Sequence, residues 1–434
     1  MNNSLKTWSI GLQHVLAMYA GAVLVPLIVG GALKLSFEQL TYLVSIDLLT
    51  CGVATLLQVW KNKFFGIGLP VMLGCTFTAV GPMIAIGSQH GVSAIYGAII
   101  VSGIFVVLIS SFFSKLVKFF PPVVTGSVVT IIGLTLIPVA INDMAGGQGS
   151  DHFGSNSNLL LSFGVLAFIL LLNKFATGFL KTISILVGLV AGTIVAALMG
   201  MVDFSQVGEA SWFHGLKPFY FGTPTFEISS IITMILVAIV SLIESTGVYL
   251  ALGDITKREI SEKDLSKGYR AEGLAIILGG ILNSFPYTAY SQNVGLVQLT
   301  GVKTKQAIFA AGSILVVLGF LPKIAAITTL IPTAVLGGAS IAMFGMVVAY
   351  GVKMLGQVDF NQQGNLLIIA CAIGLGLGVT VVPDIFKGLP QGIRILTQSG
   401  IVAGSVTAIV LNILFNMLPN FRVKSVKVEQ RKAG

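Results

Sequence analysis

Long apolar stretches separated by short polar segments recur along the whole chain. Each is close to the roughly 20 residues that a membrane-spanning helix needs. The first is longer than the core of a signal peptide and lacks a small-residue cleavage site, so it predicts a membrane helix. The predicted fold class is therefore an all-α polytopic membrane protein with 14 transmembrane segments. They lie at about 9–31, 39–59, 68–87, 93–114, 121–140, 158–177, 182–201, 228–251, 271–284, 286–300, 306–322, 326–350, 363–382 and 398–418.

The composition agrees with this pattern. Hydrophobic residues make up 55% of the 434 residues and charged residues 9%, whereas soluble domains carry about 25% charged residues. Cys51, Cys75 and Cys371 lack paired or metal-ligand spacing, so they predict neither a disulfide framework nor a metal site. The chain has no Gly-x-x-x-x-Gly-Lys-Ser/Thr loop, which argues against an ATP-driven pump. No cofactor is expected.

Basic residues are distributed unevenly between the predicted loops. With the N-terminus in the cytoplasm, only five of the 25 lysines and arginines fall outside, namely Lys34, Lys217, Lys323, Lys387 and Arg394. The positive-inside rule then predicts a multi-pass protein of the cell membrane with both termini in the cytoplasm. The net charge of +9 reflects this topology, and no nucleic-acid partner is expected.

Prolines recur at matching places in the two halves of the chain. Pro121 opens the fifth segment and Pro332 lies in the twelfth, and each is followed by glycine five residues later. A second pair of similar stretches, 69–77 and 285–293, falls in the third and tenth segments. The members of each pair are seven segments apart. Because seven is odd, two homologous halves would insert into the membrane with opposite orientations.

We therefore predict two inverted repeats, 1–202 and 227–434, within a single transporter domain, 1–434. Substrate sites in such transporters lie near the midplane, where discontinuous helices meet. The third and tenth segments supply the breaks, because 74–82 and 288–295 follow a proline and are rich in glycine or polar residues. Extended backbone at this depth is tolerated only where protein or a cavity satisfies it, and half-helix N-termini there would direct N–H groups at a solute.

Glu244 stands alone in the otherwise uncharged stretch 236–252. A carboxylate at bilayer depth is costly and persists where it faces a cavity, a partner or a proton path. Such a group can bind a polar solute, carry a proton, or do both, which indicates transport. An anion channel or exchanger on a similar fold would instead present a cationic residue or bare helix ends. A membrane enzyme is disfavoured, because the sequence has no metal cluster, nucleophile–base pair or cofactor motif.

Two motifs resemble the hallmarks of one family. Gln13-His14 in the first segment and the stretch 292–301, Gln-Asn-Val-Gly-Leu-Val-Gln-Leu-Thr-Gly, resemble those of the nucleobase–ascorbate transporter family, and the resemblance covers essentially the whole chain. It implies fourteen segments in two inverted seven-segment repeats, with a core domain and a gate domain, usually in a homodimer. It also implies a short strand in each of the third and tenth segments, with the substrate between them.

The same resemblance implies proton-coupled uptake of a nucleobase across the cytoplasmic membrane by alternating access. Uracil-type relatives carry glutamate where this chain has Gln292, so glutamine favours an oxidised purine, and xanthine is the expected substrate. Many xanthine transporters have asparagine where this chain has Val294, which leaves urate as an alternative. Uracil and guanine are further alternatives, and the proton is the expected coupling ion.

The substrate-binding positions of the family fall on Glu244, Gln292 and Phe77. A carboxylate at Glu244 can accept hydrogen bonds from two ring N–H groups. The Gln292 amide offers one acceptor and two donors, which match the alternating N–H and C=O edge of an oxopurine. Phe77 would stack on the planar ring. Thr76 and the backbone near Ser291 are weaker candidates for contact with the substrate.

The remaining polar positions of the motifs have mainly structural interpretations. Asn293, Gly295 and Thr300 are expected to hold the broken backbone in place. Gln13 and His14 are expected to order the first segment, with His14 forming a hydrogen bond near the site.

Two further acidic residues lie in or beside apolar segments. Glu272 falls on the acidic position of the family's ninth helix and lies two residues after Arg270, so it would either form an interfacial ion pair or have a role in proton coupling or gating. Asp47, in the second segment, has no partner that the sequence reveals. It could serve the proton path but is left without a role.

Overall fold

The computed structural model describes residues 3–117, 120–301, 303–390, 397 and 399–418. These residues contain seventeen α-helices and two short strands. The first half contains α1 (Asn3–Ala32), α2 (Phe37–Val59), β1 (Leu73–Cys75), α3 (Val80–His90), α4 (Val92–Leu116), α5 (Pro122–Met144), α6 (Asn156–Phe175), α7 (Gly178–Thr182), α8 (Ser184–Leu198) and α9 (Ser205–Glu209). The second half contains α10 (Ile228–Thr256), α11 (Glu262–Leu282), β2 (Tyr287–Ala289), α12 (Ser291–Thr300), α13 (Lys305–Gly319), α14 (Pro322–Thr329), α15 (Thr333–Leu355), α16 (Gln363–Val381) and α17 (Gly400–Asn412).

Nine of the described helices are long and apolar enough to cross a membrane, namely α1, α2, α4, α5, α6, α10, α15, α16 and, with the turn that follows it, α17. Together α13 and α14 would make a tenth span, bent by 82° between the two helices. The prediction of a helical polytopic membrane protein is confirmed, whereas the count of fourteen segments stays a prediction. Lys118, Arg394 and residues 419–434, which entered the charge analysis, lie outside the described residues.

The predicted ninth segment, 271–284, is wrong at its start. It forms the second part of α11, which begins at Glu262. Ser261 caps this helix, and its hydroxyl accepts the N–H of Asp264 while the Asp264 side chain accepts the N–H of Ser261. The first turns of α11 are polar, so hydropathy alone does not detect them.

The predicted twelfth segment, 326–350, is also wrong, because it spans a break between two helices. α14 ends at Thr329 and α15 begins at Thr333. Pro332 between them has an extended backbone and forms the N-terminal cap of α15. Proline has no N–H to donate and its ring clashes with the preceding turn, so the first turn of a helix is a favourable place for it.

The third and tenth segments each contain a short strand, in agreement with the expectation. β1 and β2 pair antiparallel with Gly74 opposite Thr288 at the centre, and all their residues are buried. β1 leads into a 3₁₀ turn, Phe77–Ala79, and then α3, whereas β2 leads into α12. A Cβ atom on Gly74 would collide with the Tyr290 ring. Glycine therefore lets that ring lie directly against the strand.

Helices α5 and α15 pack against each other along their lengths. Pro121 and Pro332 form their N-terminal caps, both with extended backbone. The glycines five residues later lie where the helices touch, because Gly126 is against Leu355 at the end of α15 and Gly337 is against the end of α5. The start of each helix therefore meets the end of the other, so the two helices run antiparallel.

Substituting Gly337 by valine should destabilise this helix pair. A Cβ atom at Gly337 would lie 2.6 Å from the carbonyl carbon of Asp143, a backbone atom that cannot rotate away. Overpacking costs about 1–3 kcal/mol, so the variant should unfold at a lower temperature than wild type in detergent. Gly345→Val is the matched control on the same helix, because no described atom lies within 4 Å of a Cβ there. Equal melting temperatures for the two variants would contradict this packing.

Candidate functional site

A cavity of about 370 Å³ lies between the strand pair and helices α5, α10 and α15. One wall comes from the end of β1 and the turn after it, from β2, from the first turn of α12, and from α10. The opposite wall comes from α5 and α15. Glu244, Gln292, Phe77 and Ser291, all predicted as substrate-binding residues, line this cavity. Its volume lies in the range of roughly 300–1,000 Å³ that is usual for small-molecule pockets.

Glu244 lies in the middle of α10 and faces the cavity. Its carboxyl group makes no hydrogen bond or ion pair with any described residue. The next residue, Ser245, ties α10 to β2, because its Oγ lies 2.9 Å from Thr288 Oγ1 and accepts the N–H of Ala289 at 3.0 Å. These bonds fix α10 relative to the strand, so Glu244 is held in place while its carboxyl group stays available to a solute.

Ser291 and Gln292 form the first turn of α12, directly after β2. Both line the cavity, and the Ser291 hydroxyl donates to Gln292 Oε1 at 3.5 Å. The N–H groups in the first turn of a helix have no partner within the helix, and this end carries partial positive charge. The cavity wall therefore offers donors and a partial positive charge in addition to the carboxyl group of Glu244.

Phe77 closes the cavity on the β1 side. Its ring is 8% exposed and meets Phe344 of α15 edge to face, with ring centroids 5.6 Å apart. Thr76 is fully buried and, contrary to the expectation of substrate contact, does not line the cavity. Its Oγ1 accepts the N–H of Thr78 at 3.2 Å and the hydroxyl of Ser241 at 3.4 Å. Because these bonds engage its hydroxyl, Thr76 shapes the turn that carries Phe77.

The two hallmark motifs meet away from the cavity. Asn293 Nδ2 donates to the His14 carbonyl oxygen at 3.0 Å and lies 3.1 Å from His14 Nδ1, and both side chains are buried. This pair joins α1 to α12. Gln13, Gly295 and Thr300 also lie outside the cavity lining. Their positions are compatible with the structural roles expected of them, which stay predictions.

Glu272 is fully buried in the middle of α11. It accepts a hydrogen bond from the Tyr249 hydroxyl, and Gln58 Nε2 donates to the same hydroxyl at 2.5 Å. The alternative of an ion pair with Arg270 is wrong, because that guanidinium group donates to serine hydroxyls of α4 and to a backbone carbonyl. Residues two apart on a helix do not share a face, so adjacency in the sequence was misleading here.

Asp47 has partners that are remote in the sequence. Its Oδ1 accepts the hydroxyls of Ser284 and Tyr287, each at 3.1 Å, and Cys51 Sγ lies 3.7 Å from Oδ2. Thr50 bonds to the same two hydroxyl groups. The cluster joins α2 to β2 outside the cavity lining. No local pattern could have revealed it, since the two partners follow Asp47 by 237 and 240 residues.

Sequence reasoning did not anticipate the second wall of the cavity. α5 contributes Thr125, Val129 and Ile132, and α15 contributes Val347 and Tyr350. These side chains are mostly apolar and resemble the rest of their helices. Only the matching prolines pointed to α5 and α15 as a related pair.

Comparison with known families agrees with the geometry. The model of the Xan_ur_permease family, described as "Permease family", matches residues 5–385 of the chain. The chain belongs to the nucleobase–ascorbate transporter family. This permease is therefore a multi-pass membrane transporter and not an enzyme.

Several named transporters are similar to this permease along nearly its whole length. It is 68% identical to the nucleobase transporter PlUacP of Paenibacillus larvae subsp. larvae, over 95% of each chain. It is 66% identical to the xanthine permease of Bacillus subtilis, over 98% of this chain and 96% of the other. It is 64% identical to the uric acid permease PucK of Bacillus subtilis, over 95% and 96% of the two chains.

The fold is also found in a solved transporter structure. The transmembrane domain of the bicarbonate transporter BicA from a cyanobacterium superposes with a TM-score of 0.66 and 17% identity. The match covers 88% of this permease and 97% of that chain. At this identity the likeness shows the fold alone.

Proposed function

We propose that this permease takes up xanthine together with a proton across the cell membrane by alternating access. The main observation in support of this proposal is that Glu244, Gln292 and Phe77 line one cavity. The relatives add support, because they include proteins named as xanthine, uric acid and nucleobase transporters. The proton is the coupling ion, and no cofactor has a part in the mechanism.

The cavity offers groups that complement an oxopurine. The protonated carboxyl group of Glu244 would accept a hydrogen bond from a ring N–H group at its carbonyl oxygen and donate one from its hydroxyl to an acceptor on the ring. The amide of Gln292 would pair with an adjacent N–H and C=O edge. The partial positive charge of the first turn of α12 favours a carbonyl oxygen. Phe77 would contact the face or edge of the planar ring.

Coupling to protons would follow from the lack of a hydrogen-bond or ion-pair partner for Glu244 among the described residues. A carboxylate without such a partner is unfavourable where burial removes part of its hydration. Uptake of a proton relieves this cost. If the solute binds tightly only when Glu244 is protonated, the solute and the proton must cross together. Release of the solute to the cytoplasm would then be accompanied by loss of the proton.

We further propose that the chain comprises two inverted repeats of seven segments, 1–202 and 227–434. Packing supports this, because helix contacts occur in matching pairs. In the proposed repeats α2, α4, α5 and α6 correspond to α11, α13, α15 and α16. The contact of α2 with α13 then matches that of α11 with α4, and the contact of α6 with α15 matches that of α16 with α5. In the proposed arrangement α10, α12 and the strands belong to a core domain, and α5 and α15 belong to a gate domain. Movement of the core against the gate would expose the cavity to each side in turn.

The orientation follows from the loop after α10. The cavity opens where this helix ends, beside the exposed residues Asp254 and Gln357. The loop carries Lys257 and Arg258, and basic loops of this kind stay in the cytoplasm. We propose that both termini are cytoplasmic and that the cavity is open to that side. Exposed apolar side chains on α6 and α16 suit contact with lipid and with a second copy in a homodimer.

Urate is the second candidate substrate, because the identities to the xanthine permease and to PucK are nearly equal. Val294, the departure from the xanthine pattern, is buried and does not line the cavity, so it does not separate the two purines directly. Uracil and guanine are further candidates. Anion exchange is a further alternative, because BicA has a similar fold. It is less favoured, because no lysine or arginine is among the described residues that line the cavity.

Uptake of radiolabelled xanthine into cells that lack their own purine permeases tests the proposal. We expect saturable uptake that is stimulated by acidic medium, abolished by a protonophore, and inhibited by excess xanthine more than by urate, uracil, guanine or hypoxanthine. Transport of urate in preference to xanthine would move the assignment to the second candidate. Uptake that does not saturate, or that a protonophore leaves unchanged, would contradict proton-coupled carriage.

A further inference from the structure

Asp254 lies on the same side of α10 as Glu244 but at the mouth of the cavity. The lining face of this helix runs from Glu244 through Gly247 and Ala251 to Asp254, at intervals of three or four residues. At a rise of 1.5 Å per residue, the two acidic residues are about 15 Å apart along the helix. Glu244 is half-buried at the inner end of this face, whereas Asp254 is exposed at the outer end.

Two of the α10 residues between the acids, Gly247 and Ala251, are small, whereas Thr246, Val248 and Leu250 also line the cavity. A Cβ atom at Gly247 would have only one described neighbour within 4 Å, the terminal Cε of Met354 at 3.9 Å. Ala251, one turn further on, also lines the cavity. The cavity of about 370 Å³ has room for water beside this face.

The side chain of Asp254 makes no hydrogen bond or ion pair with a described residue. The basic groups on adjoining elements lie outside the cavity lining. Arg258 donates to two backbone carbonyls and to an aspartate of α11, and Lys353 of α15 lies over a tyrosine ring. Lys257 and Lys115 are exposed. Asp254 thus lies at the mouth of the cavity without an ion-pair partner among the described residues.

We infer that Asp254 is the group through which the proton leaves Glu244 for the cytoplasm, an inference that rests on the proposed proton coupling. After the solute departs, the proton passes from the Glu244 carboxylic acid through cavity water to the Asp254 carboxylate. Asp254 then releases it to bulk solution and returns to its charged form, while Glu244 is left as a carboxylate. The exchange of the proton with water at the exposed end completes the step, with no other reactant.

Proteoliposomes that contain the full-length protein allow the step to be isolated. Net xanthine uptake driven by a proton gradient requires release of the proton inside, whereas exchange of labelled for unlabelled xanthine does not. We expect Asp254→Asn to slow net uptake about tenfold. This is less than the rate factor that a positioned acid or base usually contributes, because cavity water would offer the proton a parallel route. Exchange should stay at the wild-type rate, and Asp254→Glu should restore net uptake.

A high concentration of mobile buffer inside the vesicles should also restore net uptake by Asp254→Asn, which a purely structural defect would not allow. Glu259→Gln is the matched control, since Glu259 is an exposed acid on the loop that follows α10 and lies outside the cavity lining. Net uptake by Asp254→Asn equal to that of Glu259→Gln, or an equal loss of net uptake and exchange, would overturn the inference while coupling stands. If the rate of net uptake by the wild-type protein did not depend on the proton gradient, the proposed coupling itself would be overturned.

Discussion

Substituting Glu244 by glutamine should abolish accumulation of xanthine against its gradient. The amide cannot take up and release a proton, so the solute can only equilibrate across the membrane. Because the amide keeps an acceptor and a donor in place of those of the protonated acid, binding should weaken by no more than about 1 kcal/mol, or roughly fivefold. The measurement is the ratio of internal to external labelled xanthine at steady state, together with the concentration dependence of the initial rate.

The control for this variant lies on the same helix. Glu227→Gln removes an exposed acid that precedes the first turn of α10, and it should behave as wild type. Glu244→Gln that still concentrates xanthine, and loses that ability when a protonophore is added, would show that another group carries the proton. The described acids best placed to do so are Glu272 and Asp47, which are buried in neighbouring clusters.

Substituting Gln292 by alanine should weaken substrate binding and relax its specificity. The change removes one acceptor and two donors from the cavity wall. Loss of two neutral hydrogen bonds at about 1 kcal/mol each predicts a roughly 30-fold higher KM for xanthine. Discrimination against hypoxanthine, which lacks one carbonyl of xanthine, should shrink as well. Competition assays with both purines measure the two effects together.

Gln298→Ala provides the comparison for the Gln292 variant. Gln298 lies on the same helix, is exposed, and does not line the cavity, so its loss should leave KM and the competition profile unchanged. Gln292→Ala could instead weaken the binding of xanthine and of every competitor equally and keep the wild-type preference. In that case the amide would support α12 without forming specific hydrogen bonds to the purine.

Much of the fold and part of the cavity could be predicted from the chain alone. Glu244 was recognisable because an isolated carboxyl group in an apolar stretch has few structural explanations. Phe77 and Gln292 were recognisable through motifs beside backbone breaks. The strand pair between the two broken segments was expected from the family resemblance, and the pairing of β1 with β2 agrees with it.

Other features depend on contacts that no local pattern encodes. The partners of Asp47 and Glu272 come from different helices, so the sequence could not show that Ser284 or Tyr249 would supply hydroxyl groups to them. Proximity in sequence even suggested the wrong partner, Arg270, for Glu272. Hydropathy misses the start of α11, because the first turns of this helix are polar and hydropathy identifies only apolar segments. Thr76 was expected in the cavity beside Phe77, but its hydroxyl is engaged in capping the turn.

Simultaneous measurement of xanthine and proton movement in proteoliposomes tests the central claim most directly. Purified protein is reconstituted with a pH-sensitive dye inside the vesicles, and an inward proton gradient is imposed in the presence of labelled xanthine. The proposed mechanism predicts that xanthine accumulates above its external concentration and that each addition of xanthine acidifies the vesicle interior. Xanthine that equilibrates without acidification, whether or not the gradient is present, would contradict it.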